Sequence, residues 1–370
     1  MATNSPMATD IYAELGIERV INGRGNQTVL GGSRLSPRVL AAMRTANASF
    51  VDMENLLTRV GEIVSETLSC EAAYPTSGCA AAIALGTAAC MTGDDPALIA
   101  KIPDTTGMPN QVVIQSVHRN AYDRMPSVAG AQLVEVDALG FEAALTDKTA
   151  AIYFTASFET REGSLRLSEV IEMAHARDIP VILDAAGQVS PPSLMDETIA
   201  TGADLIGFGA KYFGAPNSTG LLCGRRDLVH AATLHGFIGF ENRGGQAFGR
   251  GYKLDRGEAV ALVEALREWR NGGYEATRRS ATERATSIAR DLCHIPGITA
   301  RANAERYWVE VTFDTAGPHT ADTVAATLRS GHPPIWARVE DTMLALATNT
   351  LTKDDQAILV RRFAEILGES

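Results

Sequence analysis

Between about residues 75 and 225 two apolar patterns alternate along the chain. Short unbroken runs recur: QVVIQS (111–116), AQLVEV (131–136), AAIYFTA (150–156), PVILDA (180–185), DLIGFG (204–209) and TGLLCG (219–224). Segments with helical spacing, such as LSEVIEMAHARD (167–178), separate them. Runs without polar alternation predict strands buried on both faces. The helices between them predict a mostly parallel sheet covered by helices, an α/β architecture. No crossover helix precedes GLLCGRRDL, so that run is expected to join the sheet antiparallel. Upstream, SPRVLAAMRTANAS (36–49) predicts a helix with Ser36 as N-cap and Pro37 at its first position. A second helical pattern covers about 51–68. Downstream lie two long helical patterns, 255–269 and 277–293. The tail then reads strand, helix, strands, helix: RYWVEVTF, HTADTVAATLRS, IWARVE, TMLALAT and TKDDQAILVRRFAEIL. The expected organisation is an N-terminal arm over 1–35, a large domain over 36–272 and a smaller C-terminal α+β domain over 273–370.

Composition narrows the function classes. The 370 residues carry a formal charge of −11, with 45% apolar and 21% charged residues, as in an ordinary globular enzyme. An acidic chain argues against a nucleic-acid partner, whose phosphates call for a basic face. The longest apolar stretch, CAAAIALGTAACM (79–91), is too short and alanine-rich to span a bilayer, so no membrane association is expected. The N-terminus has no basic segment followed by an apolar core. The five cysteines show no C-x-x-C spacing. Both features point to a cytoplasmic protein with reduced thiols.

The chemistry is carried at predicted strand ends. Lysine is scarce, occurring at positions 101, 148, 211, 253 and 353. Lys211 stands in the small-residue turn GAKYFGAPNSTG, directly after the apolar run DLIGFG. In open α/β sheets ligands sit beyond the carboxyl ends of the strands. Asp184 ends PVILD, where a carboxylate needs a cation or hydrogen bonds. At PTSGCAAAIAL a helix begins at Gly78. Its free N–H groups, with the hydroxyls of Thr76 and Ser77, make an anion site. Anion cradle, carboxylate and lysine together match pyridoxal 5′-phosphate, which has a phosphate, a ring nitrogen and an aldehyde. His118, in QSVHRNAYD after another strand, is the candidate to stack on the ring.

These motifs resemble the fold-type I pyridoxal-phosphate enzymes. Within them, the chain is similar to the group containing bacterial selenocysteine synthase (L-seryl-tRNA selenium transferase) and D-glucosaminate-6-phosphate ammonia-lyase. The stretches that carry the resemblance include RVINGRGNQTVLGGSRLSP, AAYPTSGCAAAIALGTAACMTGDDP, VIQSVHRNAYD, PVILDAAGQ, GADLIGFGAKYFGAPNSTGLLCGRRDLV, GRGYKLDRGEAVALVEAL and PPIWARVED. The resemblance implies that Lys211 is the Schiff-base lysine and Asp184 the partner of the ring nitrogen. It places Ser77, Gly78 and Cys79, with Thr76 and Gln188, around the cofactor and His118 over the ring. Arg250, in FGRGYKLD, is expected to complete the phosphate site of a neighbouring subunit, which implies a homodimer or higher homo-oligomer. Relatives often carry a serine within three residues before the lysine. Here those residues are Phe208, Gly209 and Ala210. The late strand TMLALATNT lacks the usual carboxylate-binding arginine. Arg338 is the substitute candidate, its alternative being an ion pair with Glu340 or Asp341. Arg24 and Arg34 are further candidates for an acidic substrate.

The expected activity is a lyase acting on a small, acidic amino compound. It would remove the α-proton, eliminate a β-substituent, and release ammonia and a 2-oxo acid. Aldol cleavage, racemisation or transamination would share the first steps. Selenium transfer to seryl-tRNA and a catalytically silent binding module are the remaining alternatives.

Overall fold

The computed structural model describes residues 10–315 and 317–368. In chain order the strands are β1 (Ile21–Asn22), β2 (Ala72–Thr76), β3 (Gln111–Gln115), β4 (Gln132–Val136), β5 (Thr149–Thr155), β6 (Val181–Asp184), β7 (Leu205–Gly209), β8 (Gly220–Gly224), β9 (Ile298–Asn303), β10 (Trp308–Phe313), β11 (Ile335–Trp336), β12 (Arg338–Glu340) and β13 (Met343–Ala347). The chain divides into two compact units. One holds residues 34–274; the other joins the described residues up to 33 with those from 275 onward.

The unit of residues 34–274 is built on a seven-stranded sheet in the order β2-β8-β7-β6-β5-β3-β4. β3 through β7 pair in parallel; β8 runs antiparallel to both β7 and β2. All six strands expected from the apolar runs are present, including the antiparallel one, which lies inside the sheet between two neighbours. β2 went unnoticed in the sequence because Pro75 interrupts it. As an edge strand it has one side unpaired, where a missing N–H costs nothing. The helix Gly78–Thr92 has eleven buried residues and no polar face, as a helix enclosed on all sides requires. Glycines let it lie close against the sheet. A β-carbon on Gly207 would come 2.9 Å from Cys79 Sγ, and one on Gly86 3.1 Å from Leu205.

Helix starts follow the sequence signals. The Ser36 side chain accepts from Val39 N ahead of the helix Pro37–Asn47. Asp52 caps Met53–Leu68. Asp255 and Glu258 form a capping box for Arg256–Glu268.

The other unit has its own core around Leu344, Leu346, Val309, Leu328 and Phe363. A four-stranded antiparallel sheet, β12-β13-β10-β9, carries it. The segment expected to be a free arm belongs here instead. β1 pairs in parallel with β11, Gly23 N donates to Trp336 O at 2.8 Å, and Ala347 N donates to Gly23 O at 2.7 Å. Such pairing across more than 300 residues leaves no local trace in a sequence. Among the described residues no helix is long and apolar enough to cross a membrane.

Candidate active site

The ends of β2, β6 and β7 converge on the candidate residues. Asp184 closes β6, in register with Thr155 on β5 and Gly207 on β7. Side chains of register partners share a face of a parallel sheet, and this face is the one that Cys79 and Ile83 of the helix Gly78–Thr92 approach at Gly207. Asp184 is therefore half-buried, and hydrogen bonds hold both its oxygens. Tyr153 donates its hydroxyl to Oδ2 at 2.6 Å. Oδ1 accepts from Ala186 N at 3.1 Å and from the Cys79 thiol at 3.5 Å. Burial and the adjacent carboxylate push both the Cys79 thiol and the Tyr153 phenol far up, so both stay protonated donors.

Lys211 lies in the short turn Ala210–Phe213 that follows β7. Ala210 N donates to Thr219 O at 3.0 Å, and Gly209 N to Ala186 O at 3.0 Å, which ties the lysine turn to both β8 and the loop after Asp184. The Lys211 side chain is partly buried, with Nζ 5.1 Å from the Tyr212 ring. Burial lowers its pKa below the ordinary lysine value.

The helix Gly78–Thr92 starts at the candidate anion cradle. Ser77 occupies the N-cap position but its side chain does not cap the helix, leaving the hydroxyl for a ligand. Gly78 has φ of +86°, and a β-carbon there would meet nothing within 4 Å, so the first turn opens onto free space. Thr76 is buried, and its hydroxyl donates to Gly78 O at 3.0 Å, which shapes the turn. Gln188 is half-buried in the loop after β6, its N–H bonded to Ala185 O at 2.9 Å.

His118, the candidate to stack on the ring, follows β3. It is 0% exposed, wedged edge-on against Phe154 and Phe158 at centroid distances of 4.3 and 6.2 Å. Nδ1 accepts from Thr155 N at 3.1 Å, which places the ring proton on Nε2, 2.9 Å from Ser164 Oγ. Burial and Arg161 lower its pKa to about 4, so the ring is neutral. Through these contacts the residue ties the end of β3 to the end of β5.

Of the arginines, Arg34 is exposed and Arg250 pairs with Glu241 at 3.0 Å while remaining partly exposed. Arg24 and Arg338 lie in the other unit, where they are linked. Arg338 Nε and Nη2 both donate to the Arg24 carbonyl, at 3.1 and 2.8 Å. Two tryptophans are flanked by arginines in the same place. Trp336 has Arg329 at 3.3 Å and Arg24 at 5.8 Å. Trp308 has Arg306 at 3.7 Å and Arg338 at 4.9 Å. Glu340 is held by both Nη atoms of Arg306, at 2.9 and 3.1 Å. Tyr153 was not expected to take part. Its place inside AAIYFTA reads as core, and the signal that could have flagged it is its parity with Thr155, two residues on, at the strand end.

The arrangement suits a cofactor with a phosphate, an aldehyde and a basic ring nitrogen. An open helix start with an uncommitted hydroxyl, an amine of lowered pKa and a carboxylate held by neutral donors all face one sheet end. The chain is similar to known proteins along most of its length. The Aminotransferase class-V family matches residues 110–332. The chain is 32% identical to a 5'-C-glycyluridine monooxygenase-decarboxylase of Streptomyces sp, over 96% of this chain and 92% of that protein. It is 30% identical to the D-glucosaminate-6-phosphate ammonia lyase of Salmonella typhimurium (strain 14028s / SGSC 2262), over 97% of this chain and 98% of the relative. A solved structure of D-glucosaminate-6-phosphate ammonia-lyase superposes with a TM-score of 0.86 at 28% identity, covering 98% of this chain and 99% of its own.

Proposed function

The chain belongs to the aminotransferase class-V family of pyridoxal-phosphate enzymes, and from that premise we propose that it is an ammonia-lyase acting on a small acidic amino compound. The observation that carries this reading is the convergence of the Ser77–Cys79 helix start, Asp184 and Lys211 at one sheet end, in a chain 30% identical to an ammonia-lyase across nearly its whole length.

Each residue then has a task. The N–H groups at Gly78 and Cys79 and the Ser77 hydroxyl hold the phosphate at the positive end of the helix dipole. Lys211 attaches the cofactor through its amine, and Asp184 faces the ring nitrogen. When bound, pyridoxal phosphate supplies an electron sink for the pair left behind when a proton leaves the substrate α-carbon. Lys211 Nζ would be the group placed to take that α-proton, and a lowered pKa would keep a share of it neutral and competent. A β-substituent would leave with its bonding electrons, and hydrolysis would yield ammonia and a 2-oxo acid. Gln188 lies within the loop that follows Asp184 and contributes to the cofactor pocket. Arg24, Arg34 and Arg338 are the proposed contacts for the acidic groups of the substrate. The working form is a homodimer or higher homo-oligomer in which Arg250 supports a neighbouring phosphate site, in a cytoplasmic setting.

The test is a screen of amino sugar acids and amino acids, reading released ammonia and 2-oxo acid with wild-type enzyme and Lys211→Ala. Release that depends on Lys211 supports the reading; turnover equal in the variant rejects it. The 32% identity to a monooxygenase-decarboxylase favours a second reading, oxidative loss of a carboxyl group. Oxygen uptake and carbon dioxide release in the same screen separate the two.

A further inference from the structure

Resting on the reading of Asp184 as the ring-nitrogen partner, we propose that Tyr153 is a positioning residue that fixes the Asp184 carboxylate and keeps its charge available to that nitrogen. The sheet geometry delivers the contact. β5 and β6 pair in parallel with Thr155 opposite Asp184. Tyr153, two residues earlier on β5, points to the same face as Thr155. Two residues of strand span about 6.6 Å, close to the reach of a tyrosine side chain, so the phenol arrives beside the carboxylate. The resulting bond, 2.6 Å from the hydroxyl to Oδ2, lies in the range of strong O–H···O⁻ bonds.

Three features make this more than core packing. Tyr153 is 1% exposed and sits on a strand whose seven residues are all buried, so the hydroxyl cannot turn to solvent. Asp184 receives the phenol on one oxygen and the Ala186 N–H and Cys79 S–H on the other, so its rotamer is set from both sides by neutral donors. Neutral donors orient a carboxylate and stabilise its negative charge without cancelling it, so that charge stays available for a protonated ring nitrogen. A lysine or arginine in the same place would hold the carboxylate equally well but neutralise it. Removing the phenol loosens the rotamer and makes the carboxylate a stronger competitor for the shared proton. Both changes favour a less protonated ring.

The experiment compares wild type, Tyr153→Phe, and the variant with fluorotyrosine at position 153, each loaded with isotope-labelled pyridoxal phosphate. The readouts are the cofactor dissociation constant and the ring-nitrogen NMR resonance. Tyr74→Phe serves as control, because Tyr74 is also buried, at 5% exposure, in the same sheet. Tyr153→Phe is expected to weaken cofactor binding about 10-fold, the loss of one hydrogen bond to a charged group. It should also move the ring-nitrogen resonance toward the unprotonated position. Fluorotyrosine, a stronger donor of the same shape, should move it the opposite way, and it reports even if the phenylalanine variant fails to fold. Tyr74→Phe should leave the resonance in place. Wild-type resonances in both position-153 variants, with the cofactor bound, would overturn the proposal. A wild-type protein that takes up no pyridoxal phosphate would overturn the functional reading on which it rests.

Discussion

Gly220 on β8 stands against the helix start at Gly78 with no room for a side chain. A β-carbon on Gly220 would lie 2.4 Å from the Gly78 carbonyl carbon and 2.7 Å from Cys79 N. Both are backbone atoms, so no side-chain rotation can relieve the clash. Gly220→Ala is expected to cost about 2 kcal/mol, in the range of overpacked cores. It should also weaken pyridoxal-phosphate retention, because the atoms it displaces carry the proposed phosphate donors. Urea midpoints and cofactor titration check both effects. Gly187→Ala, where a β-carbon meets nothing within 4 Å, is the control and should be near neutral.

Lys211 owes its lowered pKa to burial, which disfavours the ammonium form. Its neutral, nucleophilic fraction at any given pH is therefore larger than that of an exposed lysine. Labelling with an amine-selective reagent, followed at Lys211 with mass spectrometry, should give a pH midpoint below the ordinary lysine value. Lys211→Ala should stay folded and lose borohydride-fixed attachment of the cofactor. A Lys211 midpoint at the ordinary lysine value would remove the argument for this amine as the base.

The local parts of the fold were legible and the nonlocal parts were not. The runs at 111–116, 150–156 and 204–209 announce themselves because a strand buried on both faces is apolar throughout, and Ser36–Pro37 because capping is local chemistry. β1 is different: two residues become strand only by meeting Ile335 and Trp336. The placement of Asp184, Lys211 and the Ser77–Gly78 turn at strand ends was legible, because apolar strand runs and the turns after them are local signals. The contacts of His118 were not. Phe154, Phe158 and Ser164, all at least 36 residues away in sequence, close over its ring. Tyr153 and Asp184 are 31 residues apart, and only the register of β5 on β6 brings them together.

Two buried histidines give the protein an acid limit. His118 and His235 are both 0% exposed, and burial lowers each pKa to about 4. His235 Nε2 lies 2.8 Å from Thr92 Oγ1. In the unfolded chain each titrates near about 6.5. Between these values the unfolded state holds more protons than the native one, so stability is full above about pH 6.5 and falls as pH drops toward about 4. Each histidine contributes a slope approaching about 1.4 kcal/mol per pH unit within that window. Urea midpoints measured from neutral pH downward should trace the fall, and His235→Gln should make it shallower.

Asp204 offers a way to separate stability from ligand binding. It is 4% exposed at the start of β7, the end opposite Lys211. Its carboxylate accepts from Val181 N at 2.8 Å, His175 Nε2 at 2.9 Å and Arg225 Nη1 at 3.1 Å. It thus joins the start of β6, the helix Leu167–His175 and the segment after β8. Asp204→Ala strands a buried strand N–H and removes one partner each from His175 and Arg225, the latter keeping Asp227. Because His175 and Arg225 are each 45% exposed, water recovers part of their loss. The expected cost is about 3 kcal/mol, most of it from the Val181 N–H and the lost network. Asp204→Asn, which keeps an acceptor for Val181 N, should cost about half as much. Since the lesion lies at the far edge of the sheet from Asp184 and Lys211, the affinity for pyridoxal phosphate of the folded fraction should equal that of wild type. A large affinity loss with unchanged stability would mean that the two ends of the sheet are coupled in a way this packing does not provide.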